Sequence, residues 1–456
     1  MKLFIAIIFN LGLLALLLPW LRRQWQWAAT GPWRTVLVLG LGLRVGMGLA
    51  RYWSHQLDAV GMSSVSDAIT NDILWTDPAH AWRMLTGAVT VIPTGTTYNA
   101  VFQNMSNTWF LIKVLVVLNF GSLTLGWLNT LYLSLFAFVG CWILVRKLAQ
   151  VLPNTPAGAG VIAFLLWPSI WFWATGISKE AVLLGSGAWL TARVIDLLYS
   201  NSNVAADSAP FRRRVGWWVG TVALALLHFQ MRYFFAAPLL TVLCGVVLGQ
   251  WLQHYRPTRS RWVQLMALVV VLGAVAWVAP QLSVAFRMNK FTNQVVRVYE
   301  FEIAHTRGRP HFEYPNLRPT VESIAAYAPL AVVNALTRPW LGQSKQPLYM
   351  AAGLENAAIL ILFAVALWAG LRGRIGQFPF GLSVGLSVFC LILAFLIGLT
   401  TPNLGSLSRY RSDLLPFLLL LLLQNEYAAA LLSRLRLDRG DATRLMPPET
   451  PSRPAA

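Results

Sequence analysis

The chain has 456 residues, of which 57% are hydrophobic and only 12% charged, with a mean hydropathy of +0.57. A soluble domain carries roughly twice that charged share, so a soluble globular enzyme is excluded. The net charge of +19 would point a soluble chain toward nucleic acid, but here the basic residues bracket apolar runs. Their first use is to orient the chain in a membrane, and no nucleic-acid partner is expected.

Taken in chain order, apolar runs of about twenty residues, enough to cross a bilayer, recur throughout. They predict an all-α integral membrane protein with about 11 transmembrane helices, near residues 2–20, 35–51, 125–145, 159–175, 181–199, 216–230, 234–252, 262–280, 349–371, 381–400 and 411–431. The first run is followed by "LRRQWQW" rather than a small-residue cleavage site, so it reads as a retained span. Basic residues follow the odd-numbered spans: Arg22, Arg23 and Arg34, then Arg146 and Lys147, Arg212–Arg214, Arg256, Arg259 and Arg261, and Arg372 and Arg374. All fall on one face if the N-terminus is outside and the C-terminus cytoplasmic, as in a bacterial inner membrane. Residues 107–147 must then make one net crossing. "NTWFLIKVLVVL" is expected to lie at the outer surface, with Lys113 reaching lipid headgroups, and the following apolar run to span. The membrane domain covers 1–432, and the basic, proline-rich remainder, 433–456, reads as a disordered cytoplasmic tail.

Two long outer loops, about 52–106 and 281–348, are expected to carry short helices. The first is acidic, with Asp58, Asp67, Asp72 and Asp77; the second is basic and includes Arg307, Arg309, Arg318 and Arg338. Asp77 precedes Pro78 and reads as a helix N-cap. The remaining loop charges are first of all solvated. Lys179, Arg232, Arg338, Arg409 and Arg411 differ, because each abuts an apolar helix on the side that orientation disfavours. Ionisable groups at membrane depth line cavities or pair with something. A phosphate at the outer leaflet would account for them together, since arginine forks match phosphate oxygens. The plainer accounts are local pairing, Lys179 with Glu180 and Arg411 with Asp413, or anchoring to lipid headgroups. An acidic loop facing a basic surface also suits sugar transfer from a phosphate carrier: a carboxylate takes the acceptor proton and cations stabilise the departing phosphate. Cys141, Cys244 and Cys390 lie in apolar runs and read as packing residues, and no histidine pair has metal-ligand spacing.

The ordered motifs "SDA", "PSIWFWATGISKEA", "YAPLAVVNALTRPW", "GLEN" and "TPNLGSLSRYRSDLLPF" span most of residues 60–425. The chain thereby resembles a group of uncharacterised multi-pass membrane proteins of Bacteroidetes, which look like relatives of the GT-C superfamily of polyprenyl-phosphate-sugar glycosyltransferases. The resemblance implies a catalytic aspartate in the first outer loop, matched best by Asp67 and next by Asp72. It further implies carrier-phosphate contacts at Arg409, Tyr410, Arg411, Arg338, Lys179 and Arg232, with Glu180 and Glu355 supporting. The chain lacks the tight paired-acid motif and places the loop after its second span, and the resemblance leaves a divalent metal open. The expected function is sugar transfer from a polyprenyl-phosphate-linked donor to a glycan or lipid acceptor. One alternative is a repeat-unit polymerase or ligase with His305 or His311 as base. The other is a transporter or non-catalytic scaffold in envelope glycan export, which should show mid-span charges and broken helices. Arg44, Arg193, Asp196 and Glu355 are expected nearer span ends than centres.

Overall fold

The computed structural model describes residues 1–435 except 30, 88, 94–98, 104–105, 201–210, 256–259 and 307. Arg256, Arg259, Arg307 and the expected tail beyond residue 435 lie outside the described residues. The chain opens with α1 (Lys2–Trp27) and α2 (Trp33–Trp53). The first long loop folds into α3 (Leu57–Ala68), a π-helical turn (Ile69–Leu74) and α4 (Pro78–Thr86). An antiparallel hairpin follows, β1 (Val89–Pro93) against β2 (Asn99–Gln103), with Val91 opposite Val101. Asp77 caps α4, accepting the His80 N–H at 2.9 Å.

Next come α5 (Asn107–Ser122), α6 (Gly126–Val151) and a broken element: α7 (Ala157–Val161), π-helical residues Ile162–Leu166, and α8 (Pro168–Trp173). Then follow α9 (Lys179–Tyr199), α10 (Phe211–Met231), α11 (Tyr233–Tyr255) and α12 (Ser260–Leu282). The second long loop carries α13 (Met288–Ala304) and α14 (Val321–Thr337). The chain closes with α15 (Pro347–Leu371), α16 (Phe380–Thr400), α17 (Leu404–Arg411), α18 (Leu415–Leu422) and α19 (Glu426–Arg434). Among the described residues eight helices are long and apolar enough to cross a membrane, or nine if α18 and α19, bent by 95°, count as one span.

Three segments depart from the sequence expectation. α5 does not lie exposed at a surface. Trp109, Leu111, Ile112 and Leu115 are fully buried, and the Gly121 carbonyl accepts from Asn10 Nδ2 at 2.8 Å, well along α1. A helix apolar nearly all round buries itself. The run at 159–175 breaks before Pro168, which cannot continue a hydrogen-bond ladder. The break is served by Arg44, which is fully buried and central in α2 rather than near its end: Nη1 donates to Ala174 O at 2.7 Å and Nη2 to Phe164 O at 3.0 Å. The run at 411–431 is likewise interrupted, first at Ser412–Leu414 and again where Asn425 caps α19 by accepting from Ala428 N–H at 3.0 Å.

Contacts sort the helix ends into two groups. At one end Arg146 donates to Gln24 Oε1 at 2.8 Å, Lys147 meets Asp196 at 2.5 Å, and Arg374 faces Glu426 at 3.9 Å. At the other end Lys2 lies over Trp75, Arg51 caps carbonyls after α8, and Lys179 bonds Asn107. α6 and α9 run the same way between these ends and touch closely. A Cβ on Gly140 would collide with the Gly185 carbonyl oxygen, so the glycines set the helix separation.

Candidate functional site

At the end holding Lys2 and Arg51, five charged side chains from four places in the chain alternate in sign. Glu180 stands in the first turn of α9, where the helix dipole favours an anion, and is fully buried. Its Oε1 lies 3.1 Å from Arg409 Nε and 3.5 Å from Arg232 Nη2. Arg232 Nη1 lies 3.6 Å from Asp413 Oδ2, and Arg409 Nη1 lies 2.7 Å from Asp58 Oδ2. The order is Asp58, Arg409, Glu180, Arg232, Asp413, from an exposed carboxylate to one only 6% exposed. Desolvating so many charges is costly, and the alternation is what offsets it. Glu180 is the main reason the Arg409 guanidinium is held above its ordinary pKa.

The Arg232 guanidinium also lies over the rings of Tyr410 at 4.2 Å and Phe235 at 4.7 Å. Burial pushes the Tyr410 phenol up from its usual range. Lys179 turns away from Glu180 and donates to Asn107 Oδ1 at 3.0 Å and Thr108 Oγ1 at 2.8 Å, tying α9 to the start of α5.

Beside this ladder lies a cleft of about 230 Å³ whose lining includes Arg51, His55, Ser63, Ser64, Asp67 and Thr175. Asp67 is half-buried and accepts from Ser63 Oγ at 3.4 Å, Ser66 Oγ at 3.3 Å and Asn119 Nδ2 at 3.2 Å. Burial raises its carboxyl above the ordinary range, against the opposing pull of those three bonds. Arg51 Nη1 donates to Phe172 O at 2.9 Å, Trp173 O at 3.0 Å and Thr175 O at 3.2 Å. Asp58, the exposed end of the ladder, stands on α3 between Gln56 and Ala59 of the cleft lining, so cleft and ladder are neighbours.

Other expected residues lie elsewhere. Asp72 is exposed on the π-helical turn and is not part of the cleft lining. Arg411 is 2% exposed and donates to Asn356 Oδ1 at 2.7 Å and Arg338 O at 2.9 Å, with Glu355 next to that asparagine in the chain. Arg338 Nε donates to Asn334 Oδ1 at 3.0 Å, and its guanidinium lies over Trp340 at 4.3 Å. Arg338, Arg411 and Glu355 thus belong to a group around Asn356, apart from the ladder. Neither expected local pair forms, since Asp413 faces Arg232 and Lys179 faces Asn107. His305 Nδ1 donates to Phe301 O at 2.8 Å, and His311 sits 3.1 Å from Glu313; both lie outside the ladder.

Sequence reasoning left Arg51, Asp58 and Arg44 without a role. The available signal for Arg51 was its place at the end of a span on the side orientation disfavours. Cys141 and Cys390 are buried, but Cys244 is exposed on the helix surface, unlike the expected packing residue. Among the described residues no group of three His, Cys, Asp or Glu side chains could hold a metal ion. In comparisons with known proteins the chain matches no family model, no curated protein and no solved structure.

Proposed function

We propose that the chain is an inner-membrane glycosyltransferase-like enzyme of GT-C type, with eleven crossings and the ladder end facing outward. It takes a sugar from a polyprenyl-phosphate donor and passes it to an outer-face glycan or lipid acceptor. The observation that carries this reading is the neighbouring cleft: Asp67 and Arg51 line one cavity, and Asp58, the partner of Arg409, stands on α3 beside the lining residue Ala59. The acceptor hydroxyl oxygen attacks the anomeric carbon while Asp67 takes its proton. The bond from that carbon to the carrier phosphate breaks, and its electron pair leaves on the phosphate oxygen, where arginine nitrogens stabilise it. Arg409 is the better carrier contact because Asp58, its partner at 2.7 Å, is exposed and can be exchanged for phosphate. Arg232 is held between two buried carboxylates and serves mainly to keep Glu180 and Arg409 in place.

Native mass spectrometry of purified protein with a polyprenyl phosphate tests this reading. Retention by wild type and loss in Arg409→Ala is expected; equal retention makes the arginine an anchor and removes the reading.

One observation favours the export alternative. Two broken elements pack on each other, with Phe164 and Phe417 edge to face at 5.2 Å, as transporters arrange discontinuous helices near a substrate site. Movement of a lipid-linked glycan across proteoliposomes without bond cleavage would put that alternative first.

A further inference from the structure

A second cavity, of about 260 Å³, lies on the far side of Arg232 between α11, α13 and α16. It is just below the roughly 300 Å³ at which pockets for drug-sized ligands begin, so it suits one ring rather than an extended chain. Its lining is divided by chemistry. Tyr233, Phe234, Phe235, Phe291 and Tyr410 supply half-buried ring surface. Phe234 and Phe291 lie 6.0 Å apart at 55°, and Phe235 meets Tyr410 edge to face at 6.3 Å. The polar part comes from Gln294, Glu302 and Thr400, which add an amide, a carboxylate bonded by Ser406, and a hydroxyl. Arg232, 9% exposed, also lines the cavity, and its Nη1 makes no hydrogen bond.

We propose that this cavity is a binding subsite for a neutral saccharide ring, stacked by its C–H face on the aromatic wall with its hydroxyls turned to Glu302 and Gln294. The competing occupants fit less well. A hydrocarbon tail would bring the Gln294 amide and the Glu302 carboxylate, bonded by Ser406, against an apolar chain that offers them no hydrogen bond, which is costly. A cationic headgroup would find the Tyr410 and Phe235 rings already engaged by Arg232. A phosphate would face Glu302, while the arginine is held between Glu180 and Asp413. A ring with one apolar face and polar edges matches both walls at once. The subsite does not depend on the transferase reading, because a polymerase or an exporter of glycans needs the same contact.

Saturation-transfer NMR on the full-length protein, in a detergent without a sugar headgroup, tests it with methyl glycosides of glucose, galactose, mannose, rhamnose and N-acetylglucosamine. At least one glycoside is expected to receive transfer at its ring C–H protons. Its affinity should fall roughly tenfold in Phe291→Ala, the loss of one stacked ring, and similarly in Glu302→Gln. Glu302→Gln keeps the side-chain shape, so it decides the matter alone if the phenylalanine variant does not fold. Transfer to none of the glycosides, or equal transfer in all three proteins, overturns the proposal. Polyprenyl phosphate retention on the same samples reads the Arg409 site separately.

Discussion

Arg409 and Arg411 leave α17 in nearly opposite directions, because two residues along a helix is a turn of about 200°. One joins the ladder and the other closes a buried bond to Asn356. The sequence reading assigns both arginines to the carrier phosphate, although their spacing already separates them, and their partners, from distant parts of the chain, were not legible. Arg409→Ala leaves Glu180 buried with Arg232 at 3.5 Å as its remaining close cation. Removing one partner of a buried pair costs about 3–5 kcal/mol, which thermal unfolding of the purified variant should register alongside lost lipid retention. Asp67 makes a separate prediction. Its carboxyl titrates above the ordinary range because it is buried, so the acid limb of kcat/KM for sugar transfer should lie above that range too. Asp67→Asn should abolish transfer at every pH; a variant with an unchanged profile would remove Asp67 as the base. The sign for stability follows from the same shift. The folded protein holds this proton more tightly than the unfolded chain, so the contribution is present at low pH and lost as pH rises through the folded value.

Among the elements, long apolar runs were readable and interruptions were not. Periodicity and hydropathy describe α1, α6 and α16 well, because a lipid-exposed backbone has few alternatives to a helix. Pro168 marks the break in the fourth run, yet Arg44, which makes that break tolerable, sits 120 residues earlier than the Phe164 carbonyl it serves. Arg44→Leu should therefore destabilise the fold by leaving the Phe164 and Ala174 carbonyls unpaired, at about 1–3 kcal/mol for each buried group. Arg44→Lys should recover part of the loss, and thermal unfolding distinguishes the two. The close approach of α6 and α9 gives another test at this scale. Gly140→Ala must push the Gly185 carbonyl away and should cost about 1–3 kcal/mol as overpacking, without altering glycoside transfer at the second cavity.

For the whole molecule, the basic residues after alternate runs foresaw how the helix ends would group, with Arg146, Lys147 and Arg374 gathered opposite Arg51 and Lys179. Charge bias is a property of the entire chain, and so survives where individual spans break. The ladder survived less well, because four separate segments build it and composition says nothing of which segments meet. Outward orientation predicts that Asp77→Cys is labelled by an impermeant maleimide in intact spheroplasts, and Arg374→Cys only after permeabilisation. The reverse pattern would put the ladder in the cytoplasm and end the outer-face proposal. The ladder also sets a condition on biosynthesis. Glu180 is translated well before Arg232 and long before Arg409, on the order of tens of seconds at about 5–20 residues per second. During that interval a carboxylate destined for complete burial has no finished partner set, so the half-made chain must be sheltered at the insertion machinery until its final helices arrive.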